Sequence, residues 1–392
     1  MRESVIVSAA RTPMGSFQGA LSTVSTPRLG AVAIRAAVER AGIEPAQIDE
    51  VLMGCVLQGG LGQAPARQAS IYAGLPNSVG ATTVHKVCGS GLKTVILADQ
   101  MIRSGDADII VAGGMENMSQ APYILPKGRT GMRLGHGEIL DAMIHDGLWD
   151  PYGDKHMGNC GEVCARERNI SREEQDAFAT ESYRRANASI AEGLFNDEIA
   201  AVEIPQRRGE PVVFDTDEEP GRGKPEKFAG LRPAFDREGT ITAANASTIN
   251  DGASAMVVMS RDKADALGLK PLARIVAAGS HAHEPEWFTT APAGAIQKAC
   301  EKGGVSLDEV SFFEINEAFS VVALAVAQEL GVDLAKVNPR GGAVALGHPI
   351  GASGNRILVT LAHALRQTGE RYGCAGICLG GGEAVAVLIE AL

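Results

Sequence analysis

The sequence predicts an α/β protein made of two similar halves, related by a pseudo-twofold axis, with a loop-rich domain inserted between them. Three observations lead there. The first and last thirds of the chain resemble each other, glycines stand where strands give way to helices in both, and the middle has a different texture.

The N-terminal half spans residues 1–118. Residues 4–9 read as a buried strand running into Arg11-Thr12-Pro13. Residues 33–43 form an amphipathic helix stopped by Gly42, and residues 295–305 match it, stopped by Gly303-Gly304. A strand follows each, at 51–56 and 310–315. Gly89-Ser90-Gly91 then opens a helix to Ile102, and Gly351-Ala352-Ser353-Gly354 opens one to Leu365. The last matching strands are 107–112, closed by Gly113-Gly114, and 374–379, closed by Gly380-Gly381-Gly382.

Residues 119–250 form the insert, rich in Gly, Met, His and charged helical runs, with breakers clustered at 215–225. Within it, Ser171-Arg172-Glu173-Glu174 is an N-cap signature for a helix reaching about residue 192. Residues 253–259 read as a strand again, so 251–270 complete the first half and 271–392 make the second.

At 392 residues the chain exceeds what one hydrophobic core fills. A net charge of −11 leaves no basic field for nucleic acid or an anionic membrane, so any polyanionic ligand must meet local cations. Seven cysteines, without regular spacing, suit reduced thiols in the cytoplasm better than a disulfide framework. The first strand leaves no room for a signal peptide, no apolar run is long enough to span a bilayer, and a soluble cytoplasmic protein is expected.

Cys88 lies between a β-like run and a glycine-opened helix, where the helix N-terminus should lower its pKa and favour the thiolate. A small buried hydrophobe beside a Gly-Ser-Gly turn weighs equally on this motif alone. His348, in Gly347-His348-Pro349-Ile350-Gly351, holds the corresponding corner of the second half, so the symmetry lets thiol and imidazole meet. Cys378 ends the final strand before glycines whose amides can serve as oxyanion donors, although a strand cysteine is ordinarily structural. Asn316 ends the matching strand and could hold a water; elsewhere such an asparagine is most often an N-cap.

Together these motifs resemble the thiolase family over essentially the whole chain. They are Ser8-Ala9-Ala10-Arg11-Thr12-Pro13, Val87-Cys88-Gly89-Ser90-Gly91, Gly113-Gly114-Met115-Glu116-Asn117-Met118-Ser119, Asn316-Glu317-Ala318-Phe319, residues 338–354, and Cys378-Leu379-Gly380-Gly381-Gly382. The resemblance implies a thiolase-like fold and ping-pong acyl transfer between coenzyme A thioesters, with coenzyme A and acetyl-CoA as substrates and no prosthetic group. Cys88 would be the acylated nucleophile, His348 the base that deprotonates it, and Cys378 the base that takes a proton from the second acetyl-CoA. Asn316 would fix a water, and the amides of Cys88 and Gly380 would receive the tetrahedral oxyanion.

The same resemblance assigns coenzyme A contacts to Leu148, His156, Met157, Phe235, Ala243 and Ser247, with Ala318 and Phe319 closing the pantetheine channel. Where the family has an arginine against the adenine this chain has Pro220, so Arg222 is the candidate, with Lys224 and Lys227 near it. Phe288 and Thr289 replace the usual methionine-glycine pair of the acyl pocket, which should favour short acyl chains, and His85 stands where asparagine is common. Cys160, Cys164 and His156 have a spacing that could hold a metal, but no second ligand pair accompanies them, and His281 and His283 read as solvated. The resemblance also implies a homotetramer, a dimer of dimers, with residues 119–137 as a tetramerisation loop. The rival readings are a degradative 3-ketoacyl-CoA thiolase with a broader pocket, a non-catalytic acyl-CoA or sterol carrier, and a cysteine hydrolase with no use for Cys378.

Overall fold

A computed structural model describes residues 2–392. Its centre is one mixed sheet. The N-terminal half supplies β1 (Ser4–Arg11), β2 (Glu50–Gly54), β3 (Gly80–Val84), β4 (Ile109–Asn117) and β5 (Asn250–Ser260). The C-terminal half supplies β6 (Ala273–Ala282), β7 (Val310–Ile315), β8 (Tyr372–Leu379) and β9 (Glu383–Ala391). Their order across the sheet is β7-β8-β9-β6-β1-β5-β4-β2-β3, with the short strand Gly15–Ser16 paired to β5 as the tenth.

The order repeats outward from the middle. β1 and β6 meet antiparallel through Val5 with Arg274 and Ile6 with Ala273. From there β1-β5-β4 and β6-β9-β8 are antiparallel ladders, and parallel pairs follow, β4-β2-β3 on one side and β8-β7 on the other. A lone parallel bridge from Phe313 to Val337 stands where β3 stands in the first half. Parallel neighbours require helical crossovers, and the matching helices α1 (Thr26–Ala41), α2 (Pro65–Tyr72), α3 (Ser90–Ser104) lie in the first half. The insert carries α4 (Met157–Glu167) and α5 (Arg172–Ala191); the second half carries α6 (Ala291–Gly303), α7 (Ser320–Leu330) and α8 (Ile350–Thr368).

Alternation along the strands sorts the core into layers. Val5 and Val7 face α1, while Ile6 and Ala9 face the layer of α3 and α8. On β8, Cys374 and Cys378 face the cluster of α6 and α7, while Ala375 and Ile377 face α8. α8 is buried from Ile350 to Leu365 where it passes between the halves, its polar residues Ser353, Asn355, Arg356, Thr360 and His363 included.

α5 has the expected capping box, with Ser171 and Glu174 satisfying each other's backbone amides. β4 departs from the reading of its sequence: it continues through Gly113-Gly114 to Asn117. These glycines serve close approach, since a Cβ on Gly114 would strike the Gly351 carbonyl oxygen and one on Gly113 the Ser254 carbonyl. The insert adds no strand to the main sheet, only two-stranded ladders. Part of it packs onto the first half, where Val202 and Ile204 join the core and the buried Arg11 guanidinium pairs with Glu198 at 2.5 Å and Asp217 at 2.7 Å.

Candidate active site

The N-termini of α3 and α8 abut, which brings the Cys88 and His348 segments to the same place. Gly54, Gly91 and Gly351 make this possible. A Cβ on Gly91 would lie 3.0 Å from the Gly351 carbonyl, and one on Gly54 would lie 2.6 Å from the Gly91 amide. Glu116 braces the junction from β4, accepting from the amides of Val56 at 3.0 Å, Leu57 at 3.1 Å and Gly351 at 2.9 Å. Burial pushes its carboxyl up to about 7 against those donors. Sequence reading quoted Glu116 within a motif but gave it no role; a lone carboxylate in an apolar strand was the available signal.

Cys88 is half-buried. Its thiol accepts from the Gly380 amide and from its own, the two amides expected to meet an oxyanion. Burial outweighs both and pushes the thiol up to about 12, so the lowered pKa expected at a helix N-terminus does not hold in the resting chain. Cys378 is buried in the last turn of β8, and its thiol is raised well above the ordinary range by burial and by the nearby Cys88.

His348 is oriented by its surroundings. Its backbone amide donates to Asn250 Oδ1 at 2.9 Å, and Gly347 before it takes φ 101, a region glycine enters freely. Ser353 Oγ donates to the Pro349 carbonyl at 2.9 Å and lies 2.6 Å from His348 Nδ1. With the hydroxyl proton on the Pro349 carbonyl, Ser353 Oγ accepts from Nδ1–H, the tautomer in which Nε2 is unprotonated. Nε2 faces the Asn316 side-chain amide at 3.5 Å. Burial and the Arg356 charge hold the imidazole down to about 3, so it is neutral in the resting chain. Asn316 Oδ1 is buried with no partner within the described residues, and the Asn316 amide donates to the Gly376 carbonyl on β8.

A hollow of about 380 Å³ opens beside this centre, lined in part by Phe17, Arg222, Phe235, Ala243, Ser247 and Ile249. Arg222 also pairs with Glu218 at 3.6 Å. The other predicted contacts connect the hollow to the thiols. His156 stacks on Phe235 at 4.7 Å, Phe235 meets Phe319 edge-on at 5.9 Å, and the Ser247 amide donates to the Ala318 carbonyl at 3.0 Å. Met157 Sδ would be 3.9 Å from a Cβ on Gly380. Leu148 and Cys88 both pack against the cluster that holds Met143 and Ile350. Phe288, buried, stands 6.4 Å from Phe319.

The family model described as "Thiolase, N-terminal domain" matches residues 4–262, and "Thiolase, C-terminal domain" matches residues 269–391. The chain belongs to the thiolase family. Among its relatives is a Pseudomonas aeruginosa protein named acetyl-CoA acetyltransferase, 52% identical over 390 residues and 99% of both chains. Proteins of the same name from Cupriavidus necator and Yarrowia lipolytica are 52% and 54% identical, the matches covering 100% of this thiolase and 100% and 97% of theirs.

Two side sites of this thiolase resolve differently from its centre. Among the described residues, no group of three or more His, Cys, Asp or Glu side chains is placed to hold a metal ion. His281 and His283 contact each other edge-on at 5.2 Å; His281 Nδ1 lies 3.1 Å from Lys298 Nζ and His283 Nε2 lies 2.6 Å from the Trp287 carbonyl. Among the described residues no helix is long and apolar enough to cross a membrane.

Proposed function

We propose that the enzyme is an acetyl-CoA C-acetyltransferase, condensing two acetyl-CoA to acetoacetyl-CoA and free CoA through an acetyl-cysteine at Cys88. The observation that carries this reading is the meeting of one thiol with two backbone amides and a second thiol, beside an imidazole whose Nε2 is free to take a proton.

In the first half-reaction His348 Nε2 takes the Cys88 proton as sulfur attacks the thioester carbon. It is neutral and so can accept, but with the imidazole held at about 3 and the thiol at about 12 the transfer is uphill and must be drawn forward by the attack on the thioester carbon. The oxyanion is received by the Cys88 and Gly380 amides, each worth about 3 kcal/mol as preorganised donors do in other enzymes. Cys378 rests as a thiol, so it must lose a proton before it can act as a base. The departing CoA thiolate is the acceptor at hand. Once Cys88 is an uncharged thioester, the nearby charge opposing a Cys378 thiolate is gone. Cys378 then takes a methyl proton from the second acetyl-CoA, and the enolate oxygen is held by His348 and a water on Asn316. Attack of the carbanion on the acetyl carbon releases Cys88.

Coenzyme A is placed with its nucleotide in the hollow of Arg222, Phe235, Ala243 and Ser247, and with pantetheine passing His156, Met157, Leu148, Ala318 and Phe319 to Cys88. Incubation with acetyl-labelled acetyl-CoA, digestion and peptide mapping is expected to find the label on Cys88; label elsewhere, or none, overturns the reading.

In this reading the acyl pocket is kept short by Phe288, which is buried 6.4 Å from Phe319. Phe288→Ala is expected to raise kcat/KM for a six-carbon 3-ketoacyl-CoA relative to acetoacetyl-CoA by at least about tenfold, since an apolar pocket discriminates about that much per methylene. An unchanged chain-length profile, or a parent enzyme that already cleaves long chains efficiently, would favour the degradative reading.

The assembly is a homotetramer in this reading. Tyr123 is 70% exposed and Leu134 99%, apolar surface on a loop stiffened by the ladder of Tyr123–Ile124 with Leu140–Asp141. The outer edge of β3 has no partner among the described residues, which suits pairing with a second copy. Cytoplasmic residence is inferred from free cysteines throughout the described residues.

A further inference from the structure

The turn carrying Cys88 is strained and is gripped from the other half of the molecule. Val87 sits at φ 43, a left-handed conformation that a β-branched residue holds only when its surroundings impose it. Local bonds close the turn: the Lys86 amide donates to Ser90 Oγ at 2.8 Å, and Ser90 Oγ donates to the Val87 carbonyl at 2.6 Å. They do not fix the turn relative to Gly380, which belongs to the hairpin of β8 and β9.

That hairpin reaches across with two side chains. Leu379 and Glu383 face each other in register over the three glycines, so both leave the same face of the ladder. The Leu379 side chain occupies the space where a Cβ on Gly89 would stand. The Glu383 carboxylate pairs with the Lys86 ammonium. The two grips flank Cys88 in sequence, and Gly380 lies between their anchors. Lys93, on the first turn of α3, has its pKa lowered by burial and, after that, by the Lys86 charge. Glu383 is thus the carboxylate that offsets the Lys86 ammonium just before a helix N-terminus, where cations are unfavourable.

We propose that Lys86 and Glu383 are a positioning pair, bridging residues 297 apart in the chain, that holds the Gly380 amide against the reacting carbon on Cys88. The inference rests on the acetyl-cysteine reading above. Neither side chain touches the reacting atoms; the pair acts through the registry of two turns. Its side chains are 28% and 42% exposed, so its effect is moderate and falls with salt.

The test is single-turnover acetylation of Cys88 by labelled acetyl-CoA, in the parent enzyme and in Lys86→Met, Glu383→Gln and the charge-reversed double variant Lys86→Glu with Glu383→Lys. Rates are taken per active site titrated, with thermal melts to register loss of fold. Each single substitution is expected to slow acetylation about fivefold, the upper range for a partly exposed pair, with KM for acetyl-CoA within about twofold. Glu383→Gln should be the slower, because it leaves Lys86 and Lys93 facing each other. The double variant should regain most of the rate, and 0.5 M salt should narrow the gap between parent and singles. Singles that acetylate at the parent rate, a reversed pair no better than the singles, or variants that lose melting temperature alone overturn the proposal. No label on Cys88 in the parent overturns the function and this inference together, whereas a labelled parent with unaffected variants overturns only the pair.

Discussion

Cys378→Ala is expected to lower acetoacetyl-CoA formation by at least about a thousandfold, the range for removing a general base, while acetylation of Cys88 survives far better. The two half-reactions ask different things of this thiol. In condensation it must take a proton from carbon, and no other base besides His348 shares the centre, where His348 is engaged with the enolate oxygen. In acetylation it only supplies a proton to departing CoA, whose thiol has an ordinary pKa near roughly 8.5 and can leave as the thiolate. Thiolysis of acetoacetyl-CoA should fall with condensation, because the same thiol returns the proton to carbon in reverse. Cys378 is buried in β8, and trimming it to Ala removes one sulfur from a packed strand, a cost of about 1 kcal/mol that leaves the fold intact. Steady-state condensation and thiolysis rates, set beside rapid-quench labelling of Cys88, decide the matter. Equal loss in both half-reactions would sink the assignment, and loss in neither would sink it and revive the hydrolase reading, in which Cys378 has no part.

Much of the fold was legible because the chain states it twice. Glycine-stopped α1 and α6, and glycine-opened α3 and α8, announce the repeat through local residue choices that need no tertiary knowledge. What escaped depends on contacts between distant segments. Gly113-Gly114 look like the end of a strand, yet β4 runs on through them, since Gly114 makes room for Gly351 arriving from the other half and Gly113 for the Ser254 carbonyl of β5. The acidity of Cys88 was misjudged in the same way. A helix N-terminus is visible in sequence, but the dry surroundings that raise the thiol are assembled from several segments, and burial prevails. Glu116, Lys86 and Glu383 belong to this class too: each is an ordinary charged residue until the halves close. The candidate catalytic residues could be proposed from sequence because they sit in short motifs at the ends of repeated elements.

His348→Asn should damage both half-reactions, and it carries a second signature that a catalytic assay alone would miss. A thiol held at about 12 has almost no thiolate at neutral pH, so acetylation depends on an acceptor for its proton. Asn can keep a bond to Ser353 Oγ but offers no basic nitrogen, and both half-reactions are expected to fall by about three to four orders of magnitude. The imidazole also weighs on stability. Its folded pKa of about 3 lies below the ordinary 6.5, so the folded chain keeps His348 neutral while the unfolded chain takes up a proton as pH falls below 6.5. Stability from this group is therefore full above pH 6.5 and is lost on acidification toward pH 3, at a rate approaching about 1.4 kcal/mol per pH unit. His363, also buried and lowered chiefly by burial, contributes in the same sense and remains in the variant. Melting temperatures of parent and His348→Asn between pH 7.5 and 4.5 should thus show a shallower acid decline in the variant, though not a flat one. Parallel declines would mean that the imidazole becomes charged in the folded chain, and a charged imidazole could not accept the Cys88 proton.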